Sequence, residues 1–305
     1  MFPVLGSVFK DHQIVDHGGV VRRHELTDQE WELLAPLIPR AATGRPRVSD
    51  RQVINGMVYK IRTGISWRDL PERYGPWQTV YTRFRRYAID GVFTRALQQI
   101  QARADAAGDI DWLVQIDSTI VRAHQHAAAT GRKGGISGDE PDDHALGRSR
   151  GGLTTKVHLA CDGKGRPLAL LVTPGQRHDS VCARILLERI RVPRSSLGRP
   201  RCRPDQVIAD KAYSSRGFRA YLRRRGIAHT IPEKADQRRH RLRRGSRGGR
   251  PPGFDRETYR RRNLVERCFN RLKGFRGIAT RYDKTATSYE AAVSLASLLL
   301  WARSV

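Results

Sequence analysis

Trp112-Leu113-Val114-Gln115-Ile116-Asp117 is the stretch on which the fold turns. It is a short run rich in strand-forming side chains, opened by Asp111 and closed by a carboxylate, and it predicts a buried strand. Upstream of it the periodic segments read as helices. Downstream, strands and helices alternate. Leu153–Cys161 and Arg166–Thr173 predict a hairpin around Asp162-Gly163-Lys164-Gly165. Val207-Ile208-Ala209 is a second short apolar run, ended by Asp210, and Ala228–Ile231 a last strand. Helices are predicted over Ser180–Ile190 and Ser215–Arg225, and an apolar helix over Ala291–Ala302. Three strands, a helix, a strand, a helix, a strand and a final helix define an α/β fold with a mixed five-stranded sheet. Sites in such sheets form where neighbouring strands end on one edge. Asp117 and Asp210 are therefore predicted to project side by side.

Working back towards the start, Thr94–Ala107 reads as a helix, and another begins after Pro76. On the latter Val80, Phe84 and Tyr87 form the buried line, while Gln78, Thr82, Arg85 and Arg86 share the outer face. Such a face is either merely solvated or a DNA-reading surface of helix-turn-helix type. A helix with Val53, Ile54, Met57, Val58 and Ile61 inward precedes it and stops near Gly64. Leu26-Thr27-Asp28-Gln29-Glu30-Trp31 predicts a capping box, with Thr27 and Glu30 reciprocating, and Val48-Ser49-Asp50-Arg51-Gln52 the same device again. The expected organisation is a flexible arm over 1–24, a small all-α unit over 25–108 and an α/β unit over 109–305. Gly-rich 131–152 and Arg-rich 234–253 are expected as mobile loops.

Charge narrows the partners. The 305 residues carry 57 Lys+Arg against 30 Asp+Glu, a net +27 that calls for a polyanion, and nucleic acid is the usual one. Arginine enrichment alone would not unbalance the acids in this way. Cys161, Cys182, Cys202 and Cys268 form no CxxC pair, which argues against structural zinc or a disulfide framework and suits a reducing cytoplasm. His158 and Cys161 read as packing residues rather than half of a metal pair. No membrane partner is expected, because the longest apolar run, at the C-terminal end, is too short to span a bilayer.

One acid stands out in Tyr259-Arg260-Arg261-Arg262-Asn263-Leu264-Val265-Glu266-Arg267-Cys268-Phe269-Asn270-Arg271-Leu272-Lys273. Wound at ~100° per residue, Tyr259, Arg262, Glu266 and Lys273 fall within a stripe of roughly 60°, opposite Leu264, Val265, Cys268, Leu272 and Phe275. Glu266 could be a surface ion-pair partner of Arg262 or Arg267, and each aspartate a simple turn residue. Together the three acids offer hard oxygen ligands of the kind that hold Mg²⁺ or Mn²⁺ and leave room for phosphate. His124 and His126 follow Asp117 closely and read equally as substrate contacts or loop residues.

These residues carry a resemblance. Asp117-Ser118-Thr119-Ile120-Val121-Arg122-Ala123-His124, Ala209-Asp210-Lys211-Ala212-Tyr213 and Tyr259-x2-Arg262-x3-Glu266-x6-Lys273 resemble the three catalytic blocks of bacterial insertion-sequence DDE transposases. The head, with Gly75-Pro76-Trp77-Gln78-Thr79-Val80-Tyr81, is similar to that of the insertion-sequence-five family. The resemblance implies a ribonuclease-H-like domain, two divalent cations, and Asp117, Asp210 and Glu266 as their ligands. It implies cleavage at terminal inverted repeats and joining of the 3′-OH to target DNA, with Tyr259, Arg262 and Lys273 contacting DNA. A homodimer or larger assembly on DNA, associated with the nucleoid, is expected from the need to pair two ends. The competing readings are a DNA-binding repressor or decayed element product working through the head, and a stand-alone metal-dependent nuclease.

Overall fold

The computed structural model describes residues 14–16, 19–21, 23–39, 48–128 and 140–304. Most of the arm over 1–24 lies outside them; two strands within it, β1 (Ile14–Asp16) and β2 (Gly19–Val21), pair antiparallel with each other. Four helices follow: α1 (Asp28–Leu34), α2 (Asp50–Thr63), α3 (Trp77–Ile89) and α4 (Val92–Ala106). The capping box at α1 is formed, Glu30 N–H donating to Thr27 Oγ1 and Thr27 N–H to Glu30 Oε2. The second one is not. Ser49 stands at the N-cap of α2 without a side-chain capping bond, and Asp50 pairs with Arg83 of α3 at 2.9 Å instead.

Strand β3 (Leu113–Ala123) is the axis of the sheet. After the short α5 (Gln125–Ala128) come β4 (Gly147–Ser149), β5 (Gly152–Cys161) and β6 (Pro167–Pro174). Next are α6 (Asp179–Glu188), β7 (Gln206–Ala209), α7 (Arg216–Arg224) and β8 (Ala228–Thr230). The chain ends through α8 (Ala235–Arg243), α9 (Arg256–Arg260), α10 (Asn263–Lys273), α11 (Arg276–Ala279), β9 (Thr280–Arg281) and α12 (Ala286–Ala302). β5 runs antiparallel to β3 and β6 to β5, whereas β7 is parallel to β3 and β8 to β7. The five principal strands thus lie in the order β6-β5-β3-β7-β8, the ribonuclease-H-like arrangement. The sheet has seven strands rather than five, because β4 extends the edge of β5 and β9 pairs with the end of β3.

Two further expectations are corrected. Within 131–152, residues 131–139 lie outside the described part, while Glu140 onward is tied down: its carboxylate accepts from Ala286 N–H and Thr287 N–H at the start of α12. Over 234–253 there is helix, α8, where a loop was expected. Its Ala, Gln, Arg and Leu are good helix formers. Gln237 anchors it, donating to the Ser214 carbonyl at 2.7 Å, and Glu233 pairs with Arg241 at 3.0 Å. α12 is buried almost all round and packs on α3, α4 and β6, so head and sheet share one core. Among the described residues no helix is long and apolar enough to cross a membrane.

Candidate active site

Asp117 does not end its strand, as the sequence suggested; β3 runs on to Ala123. What ends beside it is β7. The last β3–β7 pair is Ile116 with Ala209, so Asp117 and Asp210 occupy the next step of the same register. Neighbours in register on parallel strands send their side chains to one face, which puts the two carboxylates together at the point where β7 leaves the sheet. Asp210 Oδ1 accepts from Ala212 N–H at 2.7 Å, capping the 3₁₀ turn Lys211–Tyr213. The cap reading and the site reading apply to the same residue.

The third acid arrives on α10. Residues 115, 117 and 119 alternate on one face of β3, and each meets this helix or its first turn. Gln115, fully buried, accepts the Val265 N–H at 3.1 Å; Asp117 Oδ2 accepts from Arg262 at 3.3 Å; Thr119 Oγ1 accepts from Lys273 at 2.7 Å. The helix back is buried as its periodicity predicts, through Val265, Cys268, Leu272 and Phe275. α9 and α10 are separated by a turn at Arg261–Arg262, but Arg261 and Arg262 keep right-handed helical backbone, so the stripe survives. Arg262 also donates to Glu266 at 2.7 Å and therefore bridges Glu266 to Asp117.

Burial, above all, pushes the Asp117 carboxyl up to about 6. The Ser118 N–H and Arg262 work against that rise, and the nearby Asp210 and Glu266 charges add to it. Tyr259, half-buried, is raised by burial first, offset by Arg262, and raised again by the fields of Asp210, Asp117 and Glu266. Mutual influence on these two groups places Tyr259 and the three acids in one electrostatic neighbourhood. Among the described residues no three acid, His or Cys side chains converge tightly enough to hold a metal ion as they stand, with Arg262 between two of them. The donor chemistry nonetheless fits a hard divalent cation, since the carboxylates offer hard oxygen ligands and the partly desolvated Asp117 charge, raised further by Asp210 and Glu266 beside it, is relieved by positive charge.

The head places its residues less uniformly. Gln78, Thr82 and Arg86 are exposed and line one shallow groove on α3, but Arg85 turns into a different cleft, next to His124 and His126. Neither histidine meets the carboxylates. Sequence reasoning passed over Gln115, whose signal was a lone amide inside an apolar run, and the group behind the site. There Ser118 Oγ donates to Asp179 at 2.7 Å and Lys156 pairs with the same carboxylate at 3.0 Å. Gln115→Leu is expected to cost about 1 kcal/mol net in chemical denaturation. It removes one of two acceptors of the buried Val265 N–H, which keeps the Arg262 carbonyl at 3.3 Å, and it also removes an amide nitrogen that itself has no partner. An unchanged midpoint would mean the bond contributes nothing to holding α10.

Residues 110–301 match the family described as "Transposase DDE domain", and residues 26–97 that described as "Putative transposase of IS4/5 family". The first match spans more than half of the chain, which belongs to the DDE transposase family of the IS4/5 kind. The chain is 32% identical over 151 residues to the putative transposase for insertion sequence element IS6501 of Brucella ovis, covering 50% of this chain and 100% of that one. It is 30% identical over 164 residues to the putative transposase for element IS402 of Burkholderia cepacia, covering 54% and 67%. An uncharacterized protein, y4sN of Sinorhizobium fredii, is 41% identical over 113 residues, covering 36% of this chain and 86% of that one.

Proposed function

We propose that this transposase binds the terminal inverted repeats of its own insertion sequence, cleaves at the element ends and joins the freed 3′-OH to target DNA. The carrying observation is the register adjacency of Asp117 and Asp210, with Glu266 brought to them on a helix tied through Gln115 to the same strand. In this reading Asp117, Asp210 and Glu266 hold two Mg²⁺ or Mn²⁺ ions. Bound there, such a pair supplies an activated attacking oxygen and charge stabilisation of the leaving one.

The chain's own residues bind and orient the DNA. Arg262, freed from its carboxylates, presents the planar donors that grip a phosphate in bidentate fashion. Lys273 adds a point charge beside Thr119, and Tyr259 fixes the near wall of the site. Residues 25–108 act as the DNA-binding unit, helix-turn-helix-like, with Gln78, Thr82 and Arg86 of α3 towards the duplex and Arg85 turned inward. Residues 109–305 act as the catalytic unit. Two ends held together make a homodimer or larger assembly on DNA, in the cytoplasm at the nucleoid.

The test is incubation with Mg²⁺ and a fragment bearing the element's own ends, scoring cut and joined products. Equal product yield in excess chelator would refute the metal part. For the head, Arg86→Ala is expected to weaken end binding and to flatten the slope of log affinity against log salt by about 0.9, one phosphate contact. A slope identical to the unsubstituted protein would remove α3 from the interface.

A further inference from the structure

A cleft of about 630 Å³ opens where the head meets the far end of β3, lined by α2, α3, His124, His126 and the Tyr282–Ser288 segment. At ~3.3 Å per strand residue, His124 lies about 23 Å along β3 from Asp117, so this cleft is separate from the carboxylates. Its floor holds a buried cation. Lys60 is 4% exposed, and its ammonium lies 5.6 Å from the ring centre of Trp67 in the head and 5.5 Å from that of Tyr282 beyond β9. Among the described residues no carboxylate pairs with it. Rings stabilise an ammonium, and an anion brought beside it adds a charge pair.

The walls are aromatic and basic. Trp67 and Tyr81 stand 5.5 Å apart, the Arg68 guanidinium lies 6.0 Å from the Trp77 ring, and Arg85 borders the same space. His124 packs on Tyr282 at 4.9 Å. Two carboxylates, Asp69 and Asp283, line the cleft against four cations, Lys60, Arg68, Arg85 and Lys284. Flat π-faces beside an unpaired buried cation fit a base with its phosphate. The volume is that of a small-ligand pocket and excludes a duplex.

We propose that this cleft binds one nucleotide lying outside a duplex, its base against Trp77 and Tyr81 and its phosphate on Lys60 and Arg85. The inference rests on the reading of the chain as a protein that acts on DNA. The two sources of such a nucleotide are an unpaired residue of bound DNA and a free mononucleotide, and the test separates them.

Three probes are compared by equilibrium titration: a paired duplex, the same duplex with one bulged thymidine, and free thymidine 5′-monophosphate. The bulged duplex is expected to bind about tenfold tighter than the paired one, within what stacking one base on aromatic side chains contributes. Lys60→Met and Tyr81→Leu are each expected to erase that preference while paired-duplex affinity stays within about twofold. Binding of the free nucleotide alone, lost in both variants, assigns the site to a free ligand. Should a variant not fold, 5-iododeoxyuridine at the bulge decides with the unsubstituted protein: photo-cross-links are expected at Trp67, Trp77, Tyr81 or Tyr282. Cross-links elsewhere, or equal affinity for bulged and paired DNA with no binding of the free nucleotide, overturn the proposal. Loss of all DNA binding in the unsubstituted protein would instead overturn the reading of its function.

Discussion

Asp210→Asn is expected to lower cleavage and joining of element-end DNA by about a thousandfold or more, with fold and duplex binding preserved. The side chain does two jobs that this substitution separates. As a cap, its Oδ1 accepts the Ala212 N–H at 2.7 Å, and an asparagine oxygen accepts that bond as well. As a member of the acid group it contributes negative charge next to Asp117, and asparagine removes it. Stability measured by thermal unfolding should therefore stay within about 1 kcal/mol, while product formation collapses. A matched control lies at the other end of the same strand. Asp205 is two-thirds exposed and paired with Arg201 at 2.9 Å, so Asp205→Asn should leave cleavage near the unsubstituted level. Strand transfer by Asp210→Asn within tenfold of the parent protein would remove Asp210 from the centre.

How legible this centre was depended on which interactions are local. Glu266, Arg262 and Tyr259 could be placed on one stripe because helical period is written into consecutive residues, and the turn at Arg261–Arg262 does not disturb it. The positions of the principal strands along the chain were legible for the same reason, each strand having its own apolar run, whereas their spatial order rests on pairings between distant residues. Asp117 misled. A carboxylate within a strand is disfavoured, so the apolar run seemed to stop there, although the β-branched Thr119-Ile120-Val121 carries β3 onward. Tertiary context overrides the propensity, since β7 departs at this step and opens space for the acid. β9 had no local signal, being two residues whose pairing partner is Arg122-Ala123 far away in sequence. α8 was hidden by its charge, which resembled a basic loop until Gln237 and Glu233 gave it anchors. The division of α3, with Arg85 in the cleft and Arg86 outside, depends on how α3 packs against α2 and α12 and could not be read from the helical wheel.

Arg281→Met should be the most damaging substitution outside the carboxylate group, costing about 3–5 kcal/mol and lowering Tm by roughly 10 °C. Arg281 is fully buried at the end of β9, and burial holds its guanidinium below the usual arginine range, offset in part by Asp283. It compensates by donating to the carbonyls of His144 at 2.8 Å, Asp283 at 2.9 Å, Lys284 at 3.1 Å and Ala145 at 3.2 Å, and to Thr155 Oγ1 at 2.6 Å. The Thr155 hydroxyl in turn donates a hydrogen bond to the Ala145 carbonyl. Two of these acceptors sit on left-handed backbone, His144 at φ 50° and Ala145 at φ 52°, a conformation that costs non-glycine residues energy unless the surroundings fix it. Methionine fills much of the volume but strands these acceptors and releases the strained pair, which leads into Glu140, the residue that caps α12. Arg281→Lys keeps the charge yet cannot fan donors to five oxygens, so it should recover less than half of the loss. The check is chemical denaturation of both variants beside Arg276→Met, an exposed arginine near the start of α11 whose loss should stay within about 0.5 kcal/mol. If Arg281→Met cost no more than Arg276→Met, the guanidinium would not be what clasps β9, residues 144–145 and the approach to α12 together.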